Sequence, residues 1–359
     1  MAKKVGSPKL SAVTDDAMAS RLASGGVFGE EERFDRIFRP STLEEFVGQE
    51  QHKKNLRVYV EAARRRKEPL DHILLCGPPG LGKTTLAHIL AKEMGVELFV
   101  TSGPAVEHKG VLTGLLTRVA RADILFIDEI HRLSATVEEA LYPAIEDFRI
   151  DVMMGDGAYA ESIQLDIKPF TLVGATTRTG LLTKPLQERF GVTLRLDFYP
   201  VSDLERIVSR SAKLLEIDCD EDGARTLAER SRGTPRIANR LVRRVRDFAQ
   251  VEGNGVIDRE IVDVACERLG IDQGGLDEMD RRLLSILIDH YDGGPVGVET
   301  IAAALAEPRD TIEDVYEPYL LQQGYLGRTP RGRVATKKAY AHLGKALSGK
   351  GSSNQGNLF

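Results

Sequence analysis

The chain has 359 residues, 42% hydrophobic and 29% charged, with a formal net charge of −5. That length leaves room for two or three domains, and the composition is that of a folded globular protein, which excludes a disordered one. No apolar run reaches the roughly 18 residues of a membrane-spanning helix, and Met1-Ala-Lys-Lys leads into no apolar core of a secretory leader.

Residues 1–30 are polar, rich in Ser, Gly and Ala, and are expected to form a flexible segment. Residues 31–199 are expected to form one domain, in which short apolar strands alternate with helices from 70 to 198, the pattern of a parallel α/β sheet with helices on both faces. Strands are predicted at 72–76, 97–101, 123–128, 170–175 and 194–198. The first strand runs into Gly77-Pro-Pro-Gly-Leu-Gly-Lys-Thr-Thr85, and a helix is expected from Thr84 to Met94. This order of glycines, Lys and Thr is that of a phosphate-binding loop. Gly77, Gly80 and Gly82 let the backbone turn its N–H groups towards phosphate oxygens, and the helix adds its positive end. Lys83 reaches the β- and γ-phosphates, and the Thr84 hydroxyl can hold Mg²⁺. The residues themselves point to ATP or GTP.

The strand Ile124-Leu-Phe-Ile-Asp128 ends in two carboxylates, Asp128 and Glu129. Asp128 stands where a second-sphere Mg²⁺ carboxylate is needed, and Glu129 where a base can polarise the attacking water. A base beside the metal carboxylate points to hydrolysis. His131 reads as a packing or surface histidine. Residues 150–167 alternate about a Gly155-Asp-Gly turn and predict a hairpin. The strand from Phe170 ends in Thr177 and Arg178, and Thr177 can bond the γ-phosphate or the water. Arg189, before an apolar turn, has the character of an arginine finger given to a neighbouring subunit.

From 200 to 270 the pattern is purely helical, with apolar spacing in 204–215, 224–228, 237–248 and 261–269. Arg236 opens a helix after Gly233-Thr-Pro and can lean back on the phosphates; Arg243, Arg244 and Arg246 suit a solvated face. Asp272-Gln-Gly-Gly275 reads as a linker. Residues 273–345 contain helices near 277–290, 297–306 and 310–322, then Arg328-Thr-Pro-Arg331-Gly-Arg333, consistent with a winged helix. From Pro318 onward there is no Asp or Glu, so a chain of net charge −5 still carries a basic end. Residues 346–359 read as a flexible polar tail. Cys76, Cys219 and Cys266 are odd in number and widely spaced, which predicts reduced thiols in a cytoplasm.

These motifs stand in the order of the AAA+ ATPases: 77–85, Asp128-Glu129-Ile-His131, Gly174-Ala-Thr-Thr-Arg178, Glu188-Arg189-Phe-Gly191 and Gly233-Thr-Pro-Arg236. With Phe38-Arg39-Pro40, Phe46-Val-Gly-Gln49 and Arg328-Thr-Pro-Arg-Gly-Arg333, residues 30–345 more closely resemble the RuvB family of Holliday-junction branch-migration motors. The resemblance implies an AAA+ P-loop core, a helical lid and a winged-helix head. It further implies an ATP- and Mg²⁺-dependent homo-hexamer on duplex arms of four-way junctions, with a RuvA-like partner on the 150–167 hairpin and a RuvC-like resolvase. By position it puts Phe38, Arg39 and Tyr199 at the adenine, with Glu146, Asp147 and Phe148 near the nucleotide. Arg309, Arg328 and Arg333 are the expected DNA-backbone contacts. A clamp-loader-like ATPase and a nucleotide-switched DNA-binding regulator are the alternatives.

Overall fold

A computed structural model describes residues 37–154 and 161–346. The chain divides into two units, Met1–Arg39 and Pro40–Phe359, and only residues 37–39 of the first are described. The expected flexible segment at 1–30, the Gly155-Asp-Gly turn and the tail from 347 lie outside the described residues.

Five parallel strands form the central sheet in the order β2-β3-β6-β1-β7: β1 Ile73–Cys76, β2 Leu98–Ser102, β3 Ile124–Asp128, β6 Thr171–Thr176 and β7 Val192–Arg195. Alternate residues of one strand feed opposite cores, as the pleat requires. Ile73 and Leu75 join Ile124 and Phe126 on one face, whereas Leu74 and Cys76 join Leu125 and Ile127 on the other. The helices Glu50–Arg66 and Lys83–Met94 cover the first face; Lys109–Leu116 and Ala135–Glu146 cover the second. The final strand begins two residues earlier than its apolar pattern predicts. It pairs Ile73 with Val192 through Cys76 with Arg195, so four-residue β1 fixes its extent. β4 Arg149–Met154 and β5 Glu161–Asp166 pair antiparallel, from Arg149 opposite Asp166 to Met154 opposite Glu161, as the hairpin reading expects.

Four helices follow: Val201–Leu214, Glu221–Glu229, Pro235–Val251 and Arg259–Arg268. Asp220 and Asp258 accept the Gly223 and Ile261 N–H groups and so start two of them upstream of the apolar spacing. The region is not purely helical. β8 Asp218–Cys219 and β9 Val256–Ile257 form a short parallel pair that ties two helix entries together. Leu204, Val208, Leu241 and Val245 belong to the same apolar cluster as Leu86 and Leu90, so the lid shares its core with one face of the sheet.

The expected linker is braced. Asp272 accepts the Gly274 and Leu276 N–H groups, each at 2.9 Å. Arg232 of the lid meets Asp280 at 2.9 Å and Asp277 at 3.1 Å at the start of the first helix of the head. That head has its own core around Leu284, Leu287, Ile301, Ile312 and Leu320. Its helices are Glu278–Tyr291, Val298–Leu305 and an irregular third segment running from Arg309 to Gln322. A wide π turn, Ile312–Tyr316, interrupts the segment ahead of Pro318, whose ring has no N–H to donate. β10 Leu326–Thr329 and β11 Gly332–Ala335 form the wing, and Val296 bridges to Arg333.

Candidate functional site

At the carboxyl end of β1 the backbone turns through Gly77, Gly80 and Gly82 at φ +142°, +80° and +95°. A side chain at Gly77 would place its Cβ 2.6 Å from the Leu196 carbonyl oxygen. The helix Lys83–Met94 has no side-chain cap and no acidic residue in its first turn, so its first N–H groups and positive end face the loop. At six other helices Ser134, Thr183, Asp220, Asp258, Asp277 and Thr336 occupy such ends. Thr84 and Thr85 are half-buried in that first turn.

Lys83 is buried, and its ammonium donates to the carbonyls of Gly77 at 2.8 Å and Pro78 at 2.9 Å. Burial pushes its pKa down to about 8, against the attraction of Asp128. Asp128 closes β3 and accepts the Glu129 N–H at 2.9 Å. Glu129 holds the left-handed conformation, φ +48°, an uncommon one for a residue with a side chain. Its carboxylate pairs with Arg132 at 2.8 Å. On the neighbouring strand Thr177 is half-buried at the same end of the sheet. The Nδ1 of His131 lies 3.0 Å from the buried Thr176 hydroxyl, and burial lowers its pKa.

The lid closes over the loop. The Arg236 N–H donates to the Gly80 carbonyl at 3.3 Å, and a Cβ on Gly80 would stand 3.1 Å from the Arg236 Cβ. Tyr199, buried, donates its hydroxyl to the Leu81 carbonyl at 3.2 Å, and burial raises its pKa. Lys83, Thr84, Asp128, Glu129, Thr177, Tyr199 and Arg236 therefore gather around one end of β1. Phe38, which is buried, and Arg39 belong to the first unit.

Arg189 does not join them. It precedes the amino end of β7, and β7 runs parallel to β1, so the sheet separates it from the loop. Its guanidinium donates to the Pro185 carbonyl at 2.7 Å, pairs with Glu146 at 3.0 Å and lies 4.2 Å from the Tyr142 ring centre. Its Nε is buried with no hydrogen-bond partner among the described residues. Tyr142 in turn donates to Glu138 at 2.5 Å, and Thr183 bonds the same carboxylate. Glu146, Asp147 and Phe148 lie at this amino end too: the Ile145 carbonyl bonds His72, just before β1, and Phe148 packs edge-on against Phe170. That placement sets them at the opposite end of the sheet from the chain's own phosphate loop. Tyr142, Glu138 and Thr183 carry no local sequence signal.

In the head, Arg328 and Arg331 are exposed on the wing. Arg309 is exposed but paired with Glu299 at 2.9 Å and Glu313 at 3.2 Å. Arg333 departs from expectation: it is buried and bonded to Glu317 at 2.6 Å and Glu313 at 3.0 Å. In this arrangement it braces the wing and does not present its charge to solvent. The three cysteines are free thiols, and among the described residues no group of three or more His, Cys, Asp or Glu side chains could hold a metal.

Three family models match the chain: the Holliday junction DNA helicase RuvB P-loop domain over residues 38–196, the RuvB AAA lid domain over 199–272 and the RuvB C-terminal winged helix domain over 273–344. The chain is also similar to solved structures of RuvB from Thermotoga maritima. One titled as the Holliday junction branch migration motor is 52% identical, with a TM-score of 0.81, covering 87% of this chain and 100% of that one. A lysine-to-arginine mutant of it is 52% identical, with a TM-score of 0.82, covering 87% and 99%. Sequence, fold and the arrangement of the phosphate loop agree: the chain belongs to the RuvB family.

Proposed function

We propose that this chain is the motor subunit that drives branch migration of Holliday junctions, hydrolysing ATP on hexameric rings around duplex arms. The observation that carries this reading is the contact of Arg236 with Gly80, which joins the lid to the phosphate loop, while the lid is itself ion-paired to a winged helix. A change at the γ-phosphate then has a mechanical route towards a DNA-binding head.

Lys83 and the uncapped helix end hold the phosphates. Glu129 takes a proton from the attacking water, Thr177 orients that water or the γ-phosphate, and Arg236 reads the phosphate state from the lid. On the lid side the adenine falls to Tyr199. Mg²⁺ would take the hydroxyl of Thr84 as a hard oxygen donor, with the carboxylate of Asp128 in its second sphere, and would neutralise phosphate charge. Arg189 serves the site of the next subunit, and Glu146, Asp147 and Phe148 border that same site. Arg328 grips the DNA backbone, with Arg331 beside it and Arg309 once Glu299 and Glu313 release it. The domain limits are 31–199, 200–270 and 273–345. The 150–167 hairpin is the seat for a RuvA-like junction binder, a RuvC-like resolvase joins the assembly, and the work is done in the cytoplasm.

The test is ATP-dependent conversion of a synthetic four-way junction into two duplexes with the RuvA-like partner present. Conversion is expected, and Glu129→Gln should bind ATP yet lower turnover about 10²- to 10⁴-fold and abolish conversion. Hydrolysis without junction movement would instead favour the clamp-loader reading, and binding with scarcely any turnover in the unmodified chain the switched regulator.

A further inference from the structure

Arg178 joins the ATPase core to the head, and the motor scheme leaves it without a role. It directly follows Thr177. Its N–H donates to the Thr176 hydroxyl at 3.0 Å, and that hydroxyl lies 3.0 Å from His131, two residues beyond Glu129. The backbone of Arg178 is thus fastened to the strand end that carries Thr177 and, through His131, to the turn that carries Glu129.

Its guanidinium belongs to the head. Nε donates to Asp314 at 2.5 Å, and the two terminal nitrogens donate to the Asp310 carboxylate at 2.9 Å and the Asp310 carbonyl at 3.3 Å. Arg178 is 20% and Asp314 28% exposed, so that bond is shielded from water more than a surface pair is, whereas Asp310 stands in solvent. Asp314 lies within the wide turn Ile312–Tyr316, and Glu313 beside it takes Arg309, Arg328 and Arg333. A displacement of the Thr177 strand end therefore pulls on the acidic turn that also holds three arginines of the head.

We infer that Arg178 is the positioning residue that couples the γ-phosphate end of the sheet to the winged-helix head, acting through Asp310 and Asp314. Its work is indirect: it makes hydrolysis at the phosphate loop respond to DNA on the head. The inference rests on the DNA-motor reading above.

The experiment measures ATP turnover of the full chain without DNA and with saturating duplex DNA, alongside ATP and duplex Kd values. The proteins compared are the unmodified chain, Arg178→Ala, Asp314→Asn, their double variant and the charge swap Arg178→Asp with Asp314→Arg. Each single variant should lose DNA stimulation by roughly fivefold or more, with DNA-free turnover and both Kd values unchanged. The double should be no worse than either single, and the swap should regain part of the stimulation. Unaltered stimulation in Arg178→Ala overturns the inference and leaves the motor reading intact. So does loss of DNA-free turnover, which would move Arg178 into the catalytic centre, or additive losses in the double. No stimulation in the unmodified chain would overturn both.

Discussion

The two ends of the central sheet are unequal. At the carboxyl end stand the phosphate loop, Lys83, Asp128, Glu129, Thr177 and, from the lid, Arg236, all but one of the parts that the proposed hydrolysis needs. At the amino end stands the missing part, an arginine, on a supporting platform of Tyr142, Glu146 and Pro185. Four strand residues, roughly 13 Å, lie between the two ends. The sheet separates Arg189 from its own phosphate loop, whereas in the proposed ring one copy's amino end would stack on the next copy's carboxyl end and complete the site. In the proposed motor, the division makes the catalytic unit a pair of subunits.

The largest way to break this comparison is Arg189→Ala. Turnover should fall about 10³-fold or more, while ATP affinity measured by a fluorescent analogue stays within a factor of about two, since the chain's own loop is untouched. A matched loss of affinity would place Arg189 in its own site. A smaller effect sharpens the amino end. Tyr142→Ala removes the ring beside the guanidinium and should lower kcat up to roughly tenfold, whereas Tyr142→Phe keeps the ring and should fall between it and the unmodified chain. Equal loss in both would assign the effect to the bond with Glu138 instead.

The smallest test concerns the carboxyl end. Lys83 in the empty site titrates near pH 8 because it is buried. A phosphate beside it favours the ammonium, so the ATP complex holds more proton than the empty site. ATP affinity should be level below pH 8 and fall above it, by at most about tenfold per pH unit. Calorimetry at pH 8 in two buffers of different ionisation heat should report proton uptake on binding; proton release would reverse the assignment.

The carboxyl end is readable in the sequence because its chemistry is contiguous. A run of nine residues makes the phosphate loop, and two adjacent carboxylates end a strand. Arg236 is readable from the Gly-Thr-Pro that opens its helix. The amino end is readable only at Arg189 itself, because Tyr142 reaches it from a distant helix, and the Thr183 that Tyr142 and Glu138 bond stands 41 and 45 residues away from them. Distance in sequence also hides the Arg178–Asp314 bond, whose partners stand 136 residues apart. Position by resemblance puts Glu146, Asp147 and Phe148 near a nucleotide, but no single chain says whose. Arg333 misleads for another reason: a basic residue in a Pro-Arg-Gly-Arg turn reads as exposed, and only the fold supplies Glu313 and Glu317 to bury it.

The most direct test of a shared catalytic unit mixes two inactive chains. Arg189→Ala retains an intact phosphate loop, and Lys83→Ala retains an intact finger. Titrating one into the other at constant total protein should raise ATP turnover to a maximum at intermediate ratios, because mixed rings contain interfaces with both parts whole. Turnover that never exceeds the weighted sum of the two separate variants, in rings shown by light scattering to have mixed, would contradict the account.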